Sequence, residues 1–199
     1  MDTRASGMEG RAVSGFSVRM TTTPRISRPS LRTGALFLAT LTTGLTAGVF
    51  VDWSNTIMPG LGTVDDRTFV TASRALDDAI RNPLFLGVEF TGALLLTGLA
   101  TVLHLRPEHR PVLRWVVVAL VCYLVAVVTT FAVHEPLNEK VRTAGEFDTG
   151  AEFAAMRAQL DESRWAAWNA VRAVATTFAF GCLAWALVLH CRFAPRTAS

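Results

Sequence analysis

Charge is what this chain has least of. Asp, Glu, Lys and Arg make up 18% of its 199 residues, where a soluble domain carries about 25%. With long uncharged stretches, that shortfall excludes a disordered protein and argues against a soluble enzyme. Cysteine is sparse too. Cys122, Cys182 and Cys191 form no C-x-x-C pair and sit in or beside apolar runs, so neither a disulfide framework nor a thiol relay is expected. There is no Gly-rich phosphate loop, no G-x-S-x-G elbow and no dinucleotide fingerprint, which removes the commonest nucleotide and acyl-transfer chemistries. Lys140 is the only lysine and Tyr123 the only tyrosine, against abundant arginine, a bias of composition rather than of function. The net charge of +3 is spread by segment and not gathered into a patch, so no nucleic-acid partner is expected.

What is present is apolar. Four runs stand out: Gly34 to Val51, Leu84 to Leu105 with the single charge Glu89, Trp115 to Val133, and Ala173 to Leu189. Each approaches the 20 or so apolar residues a membrane helix needs. The first resembles a signal peptide in position, but it is long, lacks an A-x-A site and runs into Asp52-Trp53, so it reads as a retained helix. The expected fold is all-α, an integral membrane four-helix bundle with the lipid bilayer as its solvent.

Arginine placement orients the bundle. The N-terminal segment, the link between the second and third runs and the C-terminal tail together hold eleven positive residues and three acids. The other two connections hold seven positive residues and twelve acids. Three segments that must share one side are basic, and the two on the other side are acidic. Both termini are therefore expected in the cytoplasm, with the protein in the cell membrane. Residues 1–32 read as a disordered basic segment, 33–192 as the membrane domain and 193–199 as a cytoplasmic tail. Met20 begins a plausible alternative start.

The acidic connections are expected to be helical. Asp65-Asp66 can cap a helix running to Ile80, with Phe69, Ala72, Leu76 and Ile80 on one face and Arg67, Arg74, Asp77 and Asp78 opposite. Phe153, Met156 and Leu160 mark a second amphipathic helix. Trp165 and Trp168 follow, at the level where indoles favour the headgroups.

Ionisable groups inside a membrane are costly and need a reason. Glu89 lies about 9 Å into the second helix from Pro83, and Arg172 about 6 Å into the fourth from Trp168, by the rise of an α-helix. Their depths match, so they are expected to pair. At α-helical spacing Asn82, Phe85, Glu89 and Gly92 share a stripe on the second helix. Trp165, Asn169, Arg172 and Thr176 share one on the fourth, and Tyr123, Thr130 and His134 one on the third. Gly44 and Gly48 form a G-x-x-x-G in register with Asp52 and Asn55. Polar groups thus gather at the outer end and are missing from the helix centres, which favours a pocket over a conduit. The spacing around His134 matches no metal-ligand motif, so no metal is expected. His104 and His190, at the inner ends, could face one another as haem ligands, but nothing else supports a haem.

Four segments carry a resemblance: Trp53-Ser54-Asn55-Thr56-Ile57-Met58-Pro59-Gly60-Leu61, then Asn82-Pro83-Leu84-Phe85, then Pro136-Leu137-Asn138, then Arg164-Trp165-x-x-Trp168-Asn169-x-x-Arg172. In this order they are similar to the anthrone oxygenase family, over residues 34 to 190. The resemblance implies a four-helix membrane protein that oxidises an anthrone to an anthraquinone with O2 as co-substrate and no added cofactor. Where the family often reads Asn-x-Pro-Leu-Asn, this chain reads His134-Glu135-Pro136-Leu137-Asn138 and so gains a titratable group. Such a reaction asks for a base, donors to a developing oxyanion and a dry aromatic slot. His134 or Glu89 would be the base, and Arg172 with Asn55 and Asn169 the donors. Trp53, Trp165 and Trp168 would form the slot, with Asn82 and Asn138 as further contacts to a lipophilic small molecule. The competing reading is a non-catalytic membrane protein that binds a lipid or quinone-like molecule or supports a partner complex.

Overall fold

The computed structural model describes residues 31–193. The basic segment and tail expected at the two ends lie outside the described residues, apart from Leu31, Arg32 and Phe193. Among the described residues there are helices and no strands. Helix α1 spans Leu31–Leu61, α3 Leu84–Leu103 and α4 Pro107–Thr143, and a fourth stretch spans Gly150–Phe193; all four are long and apolar enough to cross a membrane. Asp161, in the left-handed region with φ 52°, breaks that last stretch into α5, Gly150–Leu160, and α6, Glu162–Phe193. Helix α2, Asp66–Ile80, occupies the first acidic connection.

The four spans pack in a ring, α1 against α3, α3 against α4, α4 against α6 and α6 against α1. Their inner faces are small: Ala39, Thr43 and Thr46 on α1, Ala93, Thr97 and Ala100 on α3, Ala119 and Ala126 on α4, Ala179 and Ala186 on α6 are all buried. Lipid cannot drive helices together as water does, so close backbone approach supplies the attraction. The seam is built from Ala and Thr, not from the expected G-x-x-x-G. A Cβ on Gly44 would meet the Phe180 ring at 2.9 Å, but Gly48 faces open space. Large apolar side chains such as Leu95, Val121, Val128 and Val174 point outward, as a lipid-facing surface requires.

One end of the ring is capped. Helices α2 and α5 lie over it and pack with the last turns of α4 around Phe69, Val70, Val141, Phe153, Met156 and Leu160, a second core separate from that of the bundle. Asp65 starts α2 by accepting from the Thr68 amide at 3.0 Å and the Thr68 hydroxyl at 2.7 Å. These bonds favour the carboxylate and hold the Asp65 carboxyl below its ordinary range. Thr149 and Glu152 close a capping box at the start of α5. The buried face of α2 is Phe69 and Val70. Arg74 and Asp77, expected on the polar face, turn inward, because α2 is covered by both α4 and α5 and has no single wet side.

The main departure from regular helices is a π-helical segment in three of the four spans: Trp53–Ile57 in α1, Leu84–Thr91 in α3 and Thr130–His134 in α4. All three lie toward the capped end. Each borders a proline. Pro59 and Pro136 follow two residues after theirs, and Pro83 immediately precedes the third. Inside a helix, as at Pro59 and Pro136, proline lacks an N–H and crowds the carbonyl one turn back, and a widened turn relieves this; Pro83 opens its helix, where proline is tolerated. Carbonyls around these segments accept from neighbouring side chains. Thr46 donates to Glu89 O at 2.9 Å, Tyr123 to Phe90 O at 2.8 Å and Asn169 to Phe50 O at 3.0 Å. In a membrane such freed carbonyls must be satisfied from within the protein.

Candidate functional site

Under the cap lies a cavity of about 550 Å³, in the range that holds a small organic ligand. Its walls are aromatic: Phe50 and Trp53 from α1, Phe85 and Phe90 from α3, Phe131 from α4 and Trp165 from α6. Phe85 and Phe90 stack at 6.2 Å, and Phe50 meets both edge-on. Trp53 leans on Trp165 at 5.1 Å. Flat aromatic ligands suit such walls.

Arg172 reaches the cavity from α6. It is 6% exposed. Its Nη2 donates to Asn169 Oδ1 at 2.7 Å and its Nη1 to Thr130 Oγ1 at 3.2 Å. The guanidinium lies 4.3 Å from the centre of the Phe50 ring and 5.5 Å from that of Trp165. Nε is buried with no partner, and no carboxylate pairs with the group among the described residues. A buried charge without a counter-ion costs several kcal/mol. Asn169, wholly buried, also donates to Phe50 O and to Ser54 Oγ at 2.7 Å, so it ties α6 to α1 and aims the guanidinium.

The expected Glu89–Arg172 pair is not formed. Their depths match, but their directions do not. In an α-helix Phe85 and Glu89, four apart, would share a face. The π turn of 84–91 pairs residues five apart, so Phe85 and Phe90 face the cavity and Glu89 turns away, half-buried, without a hydrogen bond or ion pair from its carboxylate among the described residues. His134 does line the cavity. It is 1% exposed and edge-on to Trp165 at 4.9 Å. Its Nδ1 faces Thr129 O and its Nε2 faces Trp165 O, both at 3.3 Å. A neutral imidazole has one N–H and can satisfy only one of the two.

The other expected residues divide. Trp53, Trp165 and Asn138 line the cavity. Asn138 is a hub: its Oδ1 accepts from Trp165 Nε1 and its Nδ2 donates to Asp77, both at 2.9 Å. Asn169 stands behind Arg172, outside the lining. Asn82 caps the start of α3, accepting from the Phe85 amide at 2.9 Å and donating to Ala79 O. Asn55 is exposed, and its side chain accepts a hydrogen bond from its neighbour Thr56. Trp168 is 42% exposed on the outside of α6, whereas Trp165, expected beside it at the headgroups, is buried.

The rim toward α2 was not foreseen as part of the site. Asp77 accepts from Arg142 at 2.9 Å and from Arg81 at 3.4 Å. Glu135 pairs with Arg81 and, at 3.2 Å, with Arg142. Arg74 donates to Val141 O at 3.1 Å and Ala144 O at 2.9 Å, closing the C-terminal end of α4. A spacing rule would bring Asp77 and Arg142 together only if it already placed α2 over α4. Phe50, Phe90 and Phe131 were hidden for another reason, since Phe in an apolar run looks like any lipid-facing residue.

At the opposite end His104 and His190 meet directly, Nε2 to Nδ1 at 3.3 Å. His104 Nδ1 faces Ala100 O at 2.7 Å, and His190 Nε2 faces the Thr33 hydroxyl at 3.1 Å. The two rings bond to each other, and each holds a second partner, a backbone carbonyl for His104 and a hydroxyl for His190, instead of facing one another across a gap. Among the described residues no group of three or more His, Cys, Asp or Glu side chains is arranged to hold a metal ion.

A family model described as anthrone oxygenase matches residues 83–182. That span runs from the start of α3 into α6 and contains His134, Asn138, Trp165, Asn169 and Arg172. No curated protein and no solved structure matches the chain.

Proposed function

The chain belongs to the anthrone oxygenase family, and on that premise we propose that its cavity binds a flat lipophilic aromatic and oxidises it with O2. One observation carries the proposal: a buried guanidinium with, among the described residues, no counter-ion and no partner for its Nε, set among aromatic rings. Such a group favours a species that becomes anionic inside the cavity, which is what an oxyanion site must do.

In this reading an anthrone stacks between Phe50, Phe85 and Trp165 with its carbonyl oxygen toward Arg172. Loss of a proton from the benzylic carbon places negative charge on that oxygen, where Arg172 stabilises it. The electron-rich carbon combines with O2 and, after protonation, bears a hydroperoxide. Loss of water from the hydroperoxide leaves the second carbonyl. One oxygen atom enters the product and the other leaves as water; the CH2 group supplies all four electrons, so no outside reductant is needed. His134 takes the proton. With Nδ1–H donated to Thr129 O, the Nε2 lone pair faces the Trp165 carbonyl, a contact nothing holds, and a small ring rotation frees it for the substrate. Asn169 is a positioning residue that aims Arg172. The arginine sorting supports a cell-membrane location with the capped end outside.

The test is oxygen uptake by the purified protein in detergent with an anthrone panel. Saturable uptake with anthraquinone formed above the spontaneous rate is expected, and its absence across the panel would refute the reaction. One observation favours a second reading. Both His134 nitrogens already face carbonyls, so a protein that only binds a quinone-like molecule also fits; it would bind anthraquinone and consume no oxygen.

A further inference from the structure

The proposed reading has a flat lipophile inside the cavity, and the exposure of the lining residues shows where such a molecule could pass. Of the residues that line the cavity, four are exposed: Arg81, Leu86, Thr91 and Phe131. They are not scattered. Arg81 stands at the elbow between α2 and α3, Leu86 and Thr91 lie on α3, and Phe131 lies on α4. All the other wall residues, contributed by all six helices, are buried or half-buried. The opening is therefore a slot between α3 and α4, and these two helices pack least extensively of the four neighbouring pairs in the ring.

The chemistry of the slot changes along its length. At the top, the Arg81–Glu135 ion pair bridges the α2–α3 elbow to α4, and Arg142 joins Glu135 to Asp77 behind it. That network bars the end nearest water. Below it the edges are Leu86, Leu94, Val127 and Phe131, with only the Thr91 hydroxyl among them. Phe131 is 64% exposed and belongs to the uncharged run Trp115 to Val133, the part of α4 whose length suits the hydrocarbon core.

We infer that the cavity opens sideways into the bilayer through a window between α3 and α4, and that its ligand is a membrane-dissolved, planar, uncharged aromatic that enters from the lipid. The ion-paired rim then serves to keep water out. The window itself does not depend on any chemistry in the cavity; the identity of the ligand rests on the reading given above.

The test uses the full chain in lipid nanodiscs and 9,10-anthraquinone as an unreactive probe. Saturable quenching of tryptophan fluorescence reports occupancy, since Trp53 and Trp165 line the cavity. Thr91→Phe and, separately, Leu86→Phe narrow the window from lipid-facing positions. Val174→Phe, on the far outside of α6, is the control. Each window variant should slow both association and dissociation by about tenfold, because a narrowed passage raises the barrier in both directions. The control should change neither. With the total probe fixed, diluting it with added empty nanodiscs should slow association in proportion to its mole fraction in lipid. Unchanged rates in both window variants, or association that follows the aqueous concentration, would overturn the window. Arg81→Gln faster than the wild type, with the window variants unaffected, would place entry past α2 instead. Binding with no oxygen uptake from an anthrone refutes only the oxygenase reading. No saturable quenching in the wild type removes the aromatic site, and the window with it.

Discussion

Arg172→Met should give a protein that is dead and yet about as stable as the wild type. The substitution removes two hydrogen bonds, but only one partner is orphaned. Thr130 still donates to Ala126 O, and Asn169 keeps its bonds to Phe50 O and Ser54. Asn169 Oδ1 alone is left without a donor, which costs about 1–3 kcal/mol. Losing the guanidinium from the Phe50 face costs about 0.5–2 kcal/mol more. Against these stands relief from burying a charge with no counter-ion, worth several kcal/mol, and a methionine fills much of the same space beside the ring. The balance lies near zero, and at about 2–4 °C per kcal/mol for a chain of this size the unfolding temperature should move by only a few degrees. An arginine paired with Glu89 would behave otherwise, since removing one partner of a buried pair costs about 3–5 kcal/mol. Turnover should fall about 10²–10³-fold, the loss typical of an oxyanion donor. The assay is thermal unfolding in detergent beside oxygen uptake with an anthrone. Uptake within about threefold of the wild type, or unfolding more than about 10 °C lower, would refute the reasoning.

Two further outcomes follow from the cap and the charge sorting. The folded Asp65 carboxyl is held below its ordinary range, so its contribution to α2 is complete above the unfolded value and is lost as pH falls through the lower folded value; amide exchange in α2 should quicken there, and Asp65→Asn should remove most of that dependence. In intact cells a cysteine at Glu146 should react with an impermeant maleimide and one at Arg110 should not, in a chain whose three native cysteines are replaced; the reverse pattern would invert the membrane orientation.

The span count and the helical connections were legible because they rest on long sums, apolar length and arginine placement, which no single residue can spoil. Trp53, Asn138, Trp165 and Arg172 were also legible as neighbours of one another, since each sits a short, countable distance from a helix end. Glu89 was not, because the π turn beside Pro83 rotates it off the face that α-helical counting assigns. The cue was in the chain: Pro59, Pro83 and Pro136 each flag a place where regular counting fails. Asp77 and Arg142 were hidden for a different reason. Their encounter depends on how α2 lies over α4, a tertiary fact that no local pattern encodes.

Each π segment amounts to one residue added to a helix. Take away a residue between Phe85 and Phe90 and an ordinary α-helix presents the same two rings, now four apart and still on one face. The wall of the cavity would be unchanged, and only the chain length would differ. A single-residue gap in the middle of a membrane span is usually taken as a sign of misalignment. A relative one residue shorter within 53–57, 84–91 or 130–134 could therefore keep the same wall, and comparing it with this chain without a gap there would match the wrong residues around the cavity.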